Sequence, residues 1–255
     1  MQLLHNSSWS LLERSLKLVH TEVHIWCASL NQPLTQIDKF WCTLSSEEQA
    51  RANRFYFIKN RNQFIITHGL LRYILSRYLN VLPEQIRFSY TSRGKPYINI
   101  TGDPGKNKFR FNISHSHNIV IYAMAWGREV GIDIEYIRSN IAYKRIAKRF
   151  FSPEELAKLL SFPPEKQNEA FFYFWTRKEA YLKAKGEGIF KGSSSVLVDT
   201  GLPSRELPHW SILSFQPESG YIGALAVEGK NYQLKFWKLR DDLRQIQQHS
   251  SRRSR

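Results

Sequence analysis

The sequence has 255 residues, of which 42% are hydrophobic and 14% aromatic. A chain of this length and composition can bury a substantial core, which excludes a disordered or fibrous protein. The formal net charge of +15 favours negatively charged partners, such as nucleic acid, a phosphate-rich cofactor, an acidic protein or an anionic membrane surface.

The first half of the chain mixes strands and helices. A strand is predicted at 21–30, and a helical region opens with LSSEEQARANRF and resumes at 61–79, where apolar residues recur every three or four positions. A longer buried strand at 119–126 leads through W-G-R-E into the segment GIDIEYI, so we predict a β-hairpin over 119–135. Short strands are predicted at 86–90, 95–100 and 109–114.

The second half repeats this order of helix and strands. In FSPEELAKLL, Ser152 is the predicted N-cap, and Glu155 completes a capping box three residues later. A long helix is predicted over about 165–185, ended by Gly186. Strand-like runs follow at 195–200, 210–215, 221–228 and 232–239. The repeated order predicts an α+β fold of two similar lobes joined near 127–130.

No apolar run reaches the roughly 18 residues of a membrane span, and the N-terminus lacks the apolar core of a signal peptide. We therefore expect a cytoplasmic protein without a membrane partner. Two cysteines without C-x-x-C spacing indicate free thiols rather than a disulfide framework. Residues 241–255 are predicted to form a basic, disordered tail.

Two carboxylates share one face of the strand predicted at GIDIEYI. Because side chains alternate along a strand, Asp133 and Glu135 lie on the face opposite Ile132 and Ile134. A solvated strand face accounts for such a pair without any ligand. The alternative is a Mg²⁺ site, since this ion binds through one or two carboxylates together with substrate phosphates.

The long helix carries a second charged group. Glu179 and Lys183 are four residues apart and share one stripe of the helix, with Lys178 beside them. Pairs of this kind are usually exposed and solvated. The aromatic run FFYFW directly upstream favours a buried helix instead, and therefore a cleft wall that presents these charges.

GIDIE, followed by WTRKEAYLK, resembles the paired signature of the surfactin-type 4'-phosphopantetheinyl transferases. Asp133 and Glu179 have the order and separation of that signature. Similar segments extend through much of the chain, including RGKPY, FNISHS, AKRFFSPEE and KGEGI. The basic, Trp-rich composition resembles that of the family's cyanobacterial members.

The resemblance implies two α+β lobes related by a pseudo-twofold axis, with the active site between them. We expect an N-terminal lobe at 1–128 and a C-terminal lobe at 129–240 that carries the metal site. Coenzyme A is the implied donor, and a serine of an apo acyl or peptidyl carrier protein, acidic where it docks, is the implied acceptor. The resemblance also implies a monomer that acts without nucleic acid.

The resemblance extends to individual residues. It implies that Asp133, Glu135 and Glu179 hold Mg²⁺, with Mn²⁺ as the alternative ion. Glu179 is the expected base for the serine hydroxyl, and Lys183 is expected to neutralise or protonate the leaving phosphate. Contacts with coenzyme A are expected from Gly94, Lys95, Pro96, Ser114, His115, Lys178 and Lys183.

The chain departs from the family pattern where the coenzyme's 3'-phosphate is expected. The family often has basic residues at the positions of Gln63 and Glu48, so we expect Arg51, Arg54 or Arg61 to substitute. Two other functions fit the positive charge, namely a Mg²⁺-dependent nuclease and a non-catalytic nucleic-acid-binding module. The usual Glu-x-Lys of such nucleases is missing, and an H-x-H zinc site at FNISHSH lacks a third ligand.

Overall fold

The computed structural model describes Met1, Leu3 and residues 9–11, 16–98, 108–187 and 209–239. These residues form a mixed α/β structure with one five-stranded, one three-stranded and one two-stranded sheet. The predicted α+β class is confirmed. The predicted strand at 195–200 and the basic tail lie outside the described residues. No described helix is long and apolar enough to cross a membrane.

The N-terminal half supplies one sheet with helices packed on it. Helix α3 fills the core of this half, packing against β2, β5 and β6 through residues that include Trp26, Leu71 and Phe111. The elements are β1 (Ser10–Leu11), β2 (Glu22–Ser29), α1 (Leu34–Thr43), α2 (Ser46–Ala52), α3 (Ile58–Leu79), β3 (Phe88–Tyr90), β4 (Pro96–Ile98), β5 (Phe109–Ser116) and β6 (Ile119–Trp126). The predicted strands and helices of this half are confirmed within a few residues.

The C-terminal half surrounds the long helix with a smaller sheet. Its elements are β7 (Val130–Tyr136), α4 (Tyr143–Phe150), α5 (Pro153–Leu160), α6 (Pro164–Ala184), β8 (Trp210–Phe215), β9 (Tyr221–Glu228) and β10 (Gln233–Lys238). The order in the three-stranded sheet is β7-β9-β8, and α6 packs on β7 and β9. The sequence assigns 232–239 to the second lobe, yet β10 lies in the five-stranded sheet, parallel to β2.

The predicted hairpin over 119–135 is wrong. Strand β6 pairs with β2 and β5, whereas β7 pairs with β9 in the other sheet. The physical reason is that both strands are buried on both faces. Strand β7 can therefore pair within the second sheet and pack against β6 through side chains. A shared core that includes Ile25, Ile121, Ile132 and Leu225 joins the two sheets.

Side chains connect β7 to β5 where no backbone ladder does. Asn112 Oδ1 accepts a hydrogen bond from the Ile132 amide at 2.9 Å, and Ser116 Oγ accepts one from the Tyr136 amide at 3.1 Å. Asn112 and Ser116 are four positions apart in the strand, so both project from the same face of β5. Polar side chains of one strand thus position the other strand across the junction of the lobes.

The two halves share a construction that the sequence only partly indicates. Each contains a short helix with a Ser–Glu capping box, Ser45 with Glu48 in α2 and Ser152 with Glu155 in α5. In each case the capping glutamate also pairs with a buried cation of the long helix. Glu48 pairs with Arg72 of α3 at 2.6 Å, and Glu155 pairs with Lys178 of α6 at 2.7 Å. This repeated arrangement supports two similar lobes.

Candidate functional site

A close approach of β7 to α6 creates the site. A Cβ atom at Gly131 would collide with the carbonyl oxygen of Ala180 and with the backbone of Ala184. Only glycine therefore allows the strand to lie directly on the helix. This contact brings the carboxylates of β7 next to the face of α6 that carries Glu179 and Lys183.

Asp133 is the centre of the site. Its side chain is buried, since the residue is only 4% exposed. Lys183 Nζ donates to Asp133 Oδ1 at 2.6 Å, and Ser114 Oγ donates to the same oxygen at 2.8 Å. Asp133 Oδ2 is buried and has no hydrogen-bond partner among the described residues. Such an unsatisfied carboxylate oxygen is costly unless a ligand completes its coordination.

Glu135 lies two residues along the same strand. Ile132 and Ile134 are buried in the shared core on the opposite face of β7, which fixes the two carboxylates on one side as predicted. Ser116 Oγ donates to Glu135 Oε2 at 2.9 Å. Burial and then the negative charge of Asp133 raise the pKa of the Glu135 carboxyl above its usual value.

Glu179 completes the group of carboxylates. Burial raises its pKa to about 7, the charges of Asp133 and Glu135 act in the same direction, and Lys183 opposes them. The charge of Asp133 thus disfavours ionisation of both glutamates, and that of Glu135 disfavours ionisation of Glu179. This mutual repulsion is what a divalent cation relieves when it binds between acidic side chains.

The acidic side chains leave room for a metal ion that they do not enclose by themselves. No three His, Cys, Asp or Glu side chains in the described ranges are grouped closely enough to hold an ion as they stand. The unsatisfied Asp133 Oδ2 and the raised pKa values of Glu135 and Glu179 nevertheless suit a hard, oxygen-liganded cation. The residues fit an open site that phosphate oxygens and water complete.

Lys178 lies away from this group, which corrects the expectation that it contacts a coenzyme. The side chain is fully buried, pairing with Glu155 Oε2 at 2.7 Å and donating to the Phe150 carbonyl at 3.1 Å. Consecutive helical residues point about 100° apart, so Lys178 faces α5 while Glu179 faces β7. Its role in this structure is to hold two helices together.

The turn between β5 and β6 borders the site. His115, next to last in β5, keeps part of its surface exposed, and burial of the rest of the ring, followed by the charge of Lys183, lowers the pKa of the imidazole. His117 adopts a positive φ of 52° and stacks on Tyr136 with ring centroids 5.0 Å apart. Its carbonyl accepts a hydrogen bond from Gln63 Nε2 at 2.9 Å. Helix α3 is thereby tied to the edge of the site.

Predicted arginines line a cavity of about 620 Å³ in the N-terminal half. Arg51 and Arg54 are exposed at its wall, and the Arg51 guanidinium lies 5.3 Å from the centre of the Phe64 ring. Arg61 is not among the lining residues described for this cavity, and it stacks over Trp41 at 4.8 Å. The structure therefore brings two of the three predicted arginines together.

Glu48 also lines that cavity, and its carboxylate is paired within the fold. His68 Nδ1 lies 2.8 Å from Glu48 Oε1, and Arg72 pairs with the other oxygen. These hydrogen bonds and the charge of Arg72 outweigh burial and hold the pKa of Glu48 at about 2. The family often has a basic residue at the position of Glu48. Here the negative charge of Glu48 is offset by the buried Arg72, which reduces its repulsion of a bound anion.

The predicted G-K-P loop is attached to both lobes. Gly94 has a φ of +82°, which glycine tolerates in a tight turn, and Pro96 begins β4. Lys95 Nζ donates to Glu129 Oε2 and to the Ala184 carbonyl, both at 2.7 Å. In this structure Lys95 thus connects the loop to the end of α6. Its ammonium is engaged rather than free for an anion.

Sequence reasoning missed two contributors. Ser116 donates a hydrogen bond to Glu135. Its position two residues after Ser114 predicts that both serines lie on the same face of the strand. Glu129, which accepts from Lys95 and from Arg110 Nε at 2.6 Å, carries no comparable sequence signal.

Two family models match the chain. The model described as "4'-phosphopantetheinyl transferase superfamily" matches residues 129–226, and the one described as "4'-phosphopantetheinyl transferase, N-terminal" matches residues 29–126. They meet close to the predicted junction of the lobes.

Similar curated proteins carry the same name. The 4'-phosphopantetheinyl transferase HetI of Nostoc sp. strain PCC 7120 is 43% identical over 90% of this chain and 98% of its own length. The transferase psf-1 of Bacillus pumilus is 37% identical over 68% of this chain and 72% of its own. The transferase Sfp of Bacillus subtilis strain 168 is 33% identical over 70% and 79%, respectively.

Proposed function

This chain belongs to the 4'-phosphopantetheinyl transferase superfamily, and we propose that it transfers the 4'-phosphopantetheine moiety of coenzyme A to a serine of an apo carrier protein. The products are the holo carrier and adenosine 3',5'-bisphosphate. The arrangement that carries the proposal is the buried Asp133, paired with Lys183 and Ser114 and left with one unsatisfied oxygen. The nuclease and nucleic-acid alternatives gain no support from the relatives.

Members of the family take coenzyme A as substrate and generally depend on a divalent metal ion. In this proposal Asp133, Glu135 and Glu179 hold Mg²⁺, with Mn²⁺ as the alternative. The ion supplies charge stabilisation to the pyrophosphate oxygens when it is bound. The proposal is supported by the unsatisfied Asp133 oxygen and by the mutual repulsion of the carboxylates.

Lys183 is proposed to exchange partners during turnover. Its ammonium donates to Asp133 and Ser114 in this structure, and it is partly exposed, so it can turn toward phosphate oxygens that enter the site. There it stabilises the negative charge that develops on the leaving adenosine bisphosphate. Ser114 then remains to hold Asp133.

Glu179 is proposed as the base. Burial raises the pKa of Glu179 to about 7 in the metal-free protein, and once that proton has been displaced on Mg²⁺ binding the carboxylate is free to accept another. It takes the proton of the carrier serine as the serine oxygen forms a bond with the β-phosphorus of coenzyme A. The bond between that phosphorus and the bridging oxygen breaks, and the leaving phosphate retains the electron pair.

The coenzyme is proposed to bind along the exposed cations of the N-terminal half. Arg51 and Arg54 at the 620 Å³ cavity are the candidates for the 3'-phosphate, with Arg61 as a further cation nearby. The loop at 94–96 and the Ser114–His115 step are proposed to contact the adenosine end and the phosphates. Coenzyme binding would require Lys95 to leave Glu129 or to bind through its backbone.

Other parts of the proposal come from the sequence. We propose lobes at 1–128 and 129–240, with β10 returned to the first sheet, and a monomer that acts in the cytoplasm. Nucleic acid and membranes are not proposed as partners.

The test is a transfer assay read by intact-mass spectrometry. The chain is incubated with coenzyme A, Mg²⁺ and several apo carrier proteins, and the carriers should gain the mass of one phosphopantetheine. Asp133→Asn and Lys183→Met should lose this activity, whereas Lys166→Met, at an exposed position near the start of the same helix, should retain it. A lack of mass gain on every carrier, with the fold intact by circular dichroism, would refute the proposal.

A further inference from the structure

Eight consecutive residues, 53–60, are all exposed; they comprise the connection from α2 to α3 and the first three residues of α3. Four of them are large and apolar: Phe55, Tyr56, Phe57 and Ile58 have 37%, 92%, 63% and 67% of their surface exposed. We call these four residues the 55–58 patch. Single exposed apolar residues are common in folded proteins, but a contiguous group of this size typically marks a binding surface.

The charged residues nearest the patch along the chain all have one sign. The sequence contains no Asp or Glu from position 49 to position 83. Lys59 adjoins the patch, and Arg51, Arg54 and Arg61 lie close to it in sequence. No ion pair is found for any of these four cations within the described part of the chain. A partner with carboxylates around an apolar face would match both features.

The patch lies beside the candidate active site. Ile58 is the first residue of α3, and Gln63 of the same helix donates to the His117 carbonyl in the turn that borders the site. Five helical residues span about 8 Å, so the patch is one to two turns from that contact. Phe55 also packs on Phe64, 5.6 Å between ring centres, which fixes the patch on the helix.

We propose that the 55–58 patch docks the acceptor protein, through an apolar face of that protein that is bordered by Asp and Glu side chains. The inference rests on the proposed function, because an enzyme that modifies a protein serine must hold that protein beside its reactive carboxylates. A second copy of this chain is disfavoured, since two identical cationic rims would repel each other. A membrane surface would have no reason to lie beside the site.

The decisive variant is Tyr56→Ser combined with Phe57→Ser. Phe57 is the N-cap of α3 and makes no side-chain capping hydrogen bond, so serine there supplies a cap and does not weaken the helix. The expected result is a rise of about tenfold or more in KM for the carrier, with KM for coenzyme A unchanged within about twofold. Phe57→Leu, which keeps an apolar side chain, should retain most of the carrier affinity.

The matched control is Val81→Ser combined with Leu82→Ser. These residues are 38% and 37% exposed and follow the opposite end of α3, about 33 Å away for a helix of 22 residues. The control should leave both KM values unchanged.

A second experiment tests the charge beside the patch by comparing Lys59→Glu with Lys158→Glu on α5. Both substitutions change the net charge of the protein by the same amount. Only Lys59→Glu should weaken carrier binding, and the loss should shrink as salt is added.

Each outcome bears on the proposal. Transfer by the unmodified chain with an unchanged carrier KM in the serine variant would overturn this inference and leave the proposed function intact. Loss of vesicle binding, or of self-association, without a change in carrier KM would assign the patch to a membrane or to a second copy and also overturn it. Absence of transfer by the unmodified chain would overturn the proposed function and this inference together.

Discussion

Replacing Glu179 with glutamine should stabilise the fold while it abolishes transfer. Burial and the charges of Asp133 and Glu135 raise the pKa of Glu179 to about 7, although Lys183 acts against them. No hydrogen bond or ion pair to the Glu179 carboxylate is found among the residues described. Glutamine has nearly the same shape and removes only the charge, so it isolates the electrostatic cost of this residue.

The size of the effect follows from the two pKa values. The unfolded carboxyl titrates near 4.5 and the folded one near 7, so ionisation is less favourable in the fold. The contribution of the protonated Glu179 carboxyl to the free energy of unfolding is fully present below pH 4.5 and is lost as the pH rises through 7. The difference corresponds to about 3 kcal/mol, which screening at the half-buried site reduces to about 2 kcal/mol. Glu179→Gln should therefore gain about 2 kcal/mol at pH 8 and nothing at pH 4.5.

The assay is urea denaturation at several pH values, with Glu48→Gln as the opposite case. Hydrogen bonds from His68 and Ser45, together with the charge of Arg72, outweigh burial and hold the pKa of Glu48 at about 2. Its contribution is present above pH 4.5 and is lost as the pH falls through 2. Glu48→Gln should lose about 3 kcal/mol at pH 8, since it leaves Arg72 buried without its anion. If both variants were destabilised equally at pH 8, the electrostatic reasoning would be refuted.

Three further predictions follow from the same geometry. Gly131→Ala should lower the free energy of unfolding by about 3 kcal/mol and the rate of phosphopantetheine transfer more than tenfold, because the added methyl group separates β7 from α6. Thermal unfolding and the mass assay measure the two effects, and near-normal values in both would contradict this reasoning. Binding of Mg²⁺ at about pH 6.5 should release about three-quarters of a proton from Glu179; calorimetry in buffers of different ionisation enthalpy measures this, and Glu179→Gln should abolish the release. Lys183→Met should lower kcat about a hundredfold with little change in carrier KM; an equal loss in Lys166→Met would contradict a specific role.

Much of the secondary structure could be predicted because its signals are local. The capping box at Ser152 and Glu155 and the glycine at 186 define helices through neighbouring residues alone. The hairpin over 119–135 could not be predicted correctly for the opposite reason. Whether β7 pairs with β6 or β9 depends on residues about 90 positions later in the chain, such as Leu225 opposite Ile132. Local patterns carry no information about that choice.

The site itself was predictable to the extent that alternation and helical spacing determine it. Asp133 and Glu135 on one face of a strand, and Glu179 and Lys183 on one face of a helix, follow from periods of 2 and 3.6. Lys178 was misassigned, since sequence adjacency to Glu179 suggested a shared environment. A rotation of about 100° between consecutive residues places it in the core instead.

The repeated construction of the two lobes identifies which positions of the first lobe correspond to Glu179 and Lys183 of the second. The capping glutamate and its buried cation are 24 residues apart in the first lobe and 23 in the second, so Arg72 and Lys178 are equivalent positions. One residue further along each helix lie Tyr73 and Glu179. Arg77 donates to the Tyr73 hydroxyl at 3.4 Å, whereas in the second lobe the corresponding positions hold Glu179 and Lys183.

A buried tyrosine and a half-buried glutamate at equivalent positions have opposite consequences. The neutral Tyr73 packs in the core of the first lobe at no electrostatic cost. Glu179 should destabilise the second lobe by about 2 kcal/mol at pH 8, and nothing in the repeated framework requires a charge there. Structural needs are therefore met by the Glu48–Arg72 and Glu155–Lys178 pairs in both lobes. Lys183 offsets the repulsion of the remaining carboxylates only in part, and a cationic ligand would account for the rest.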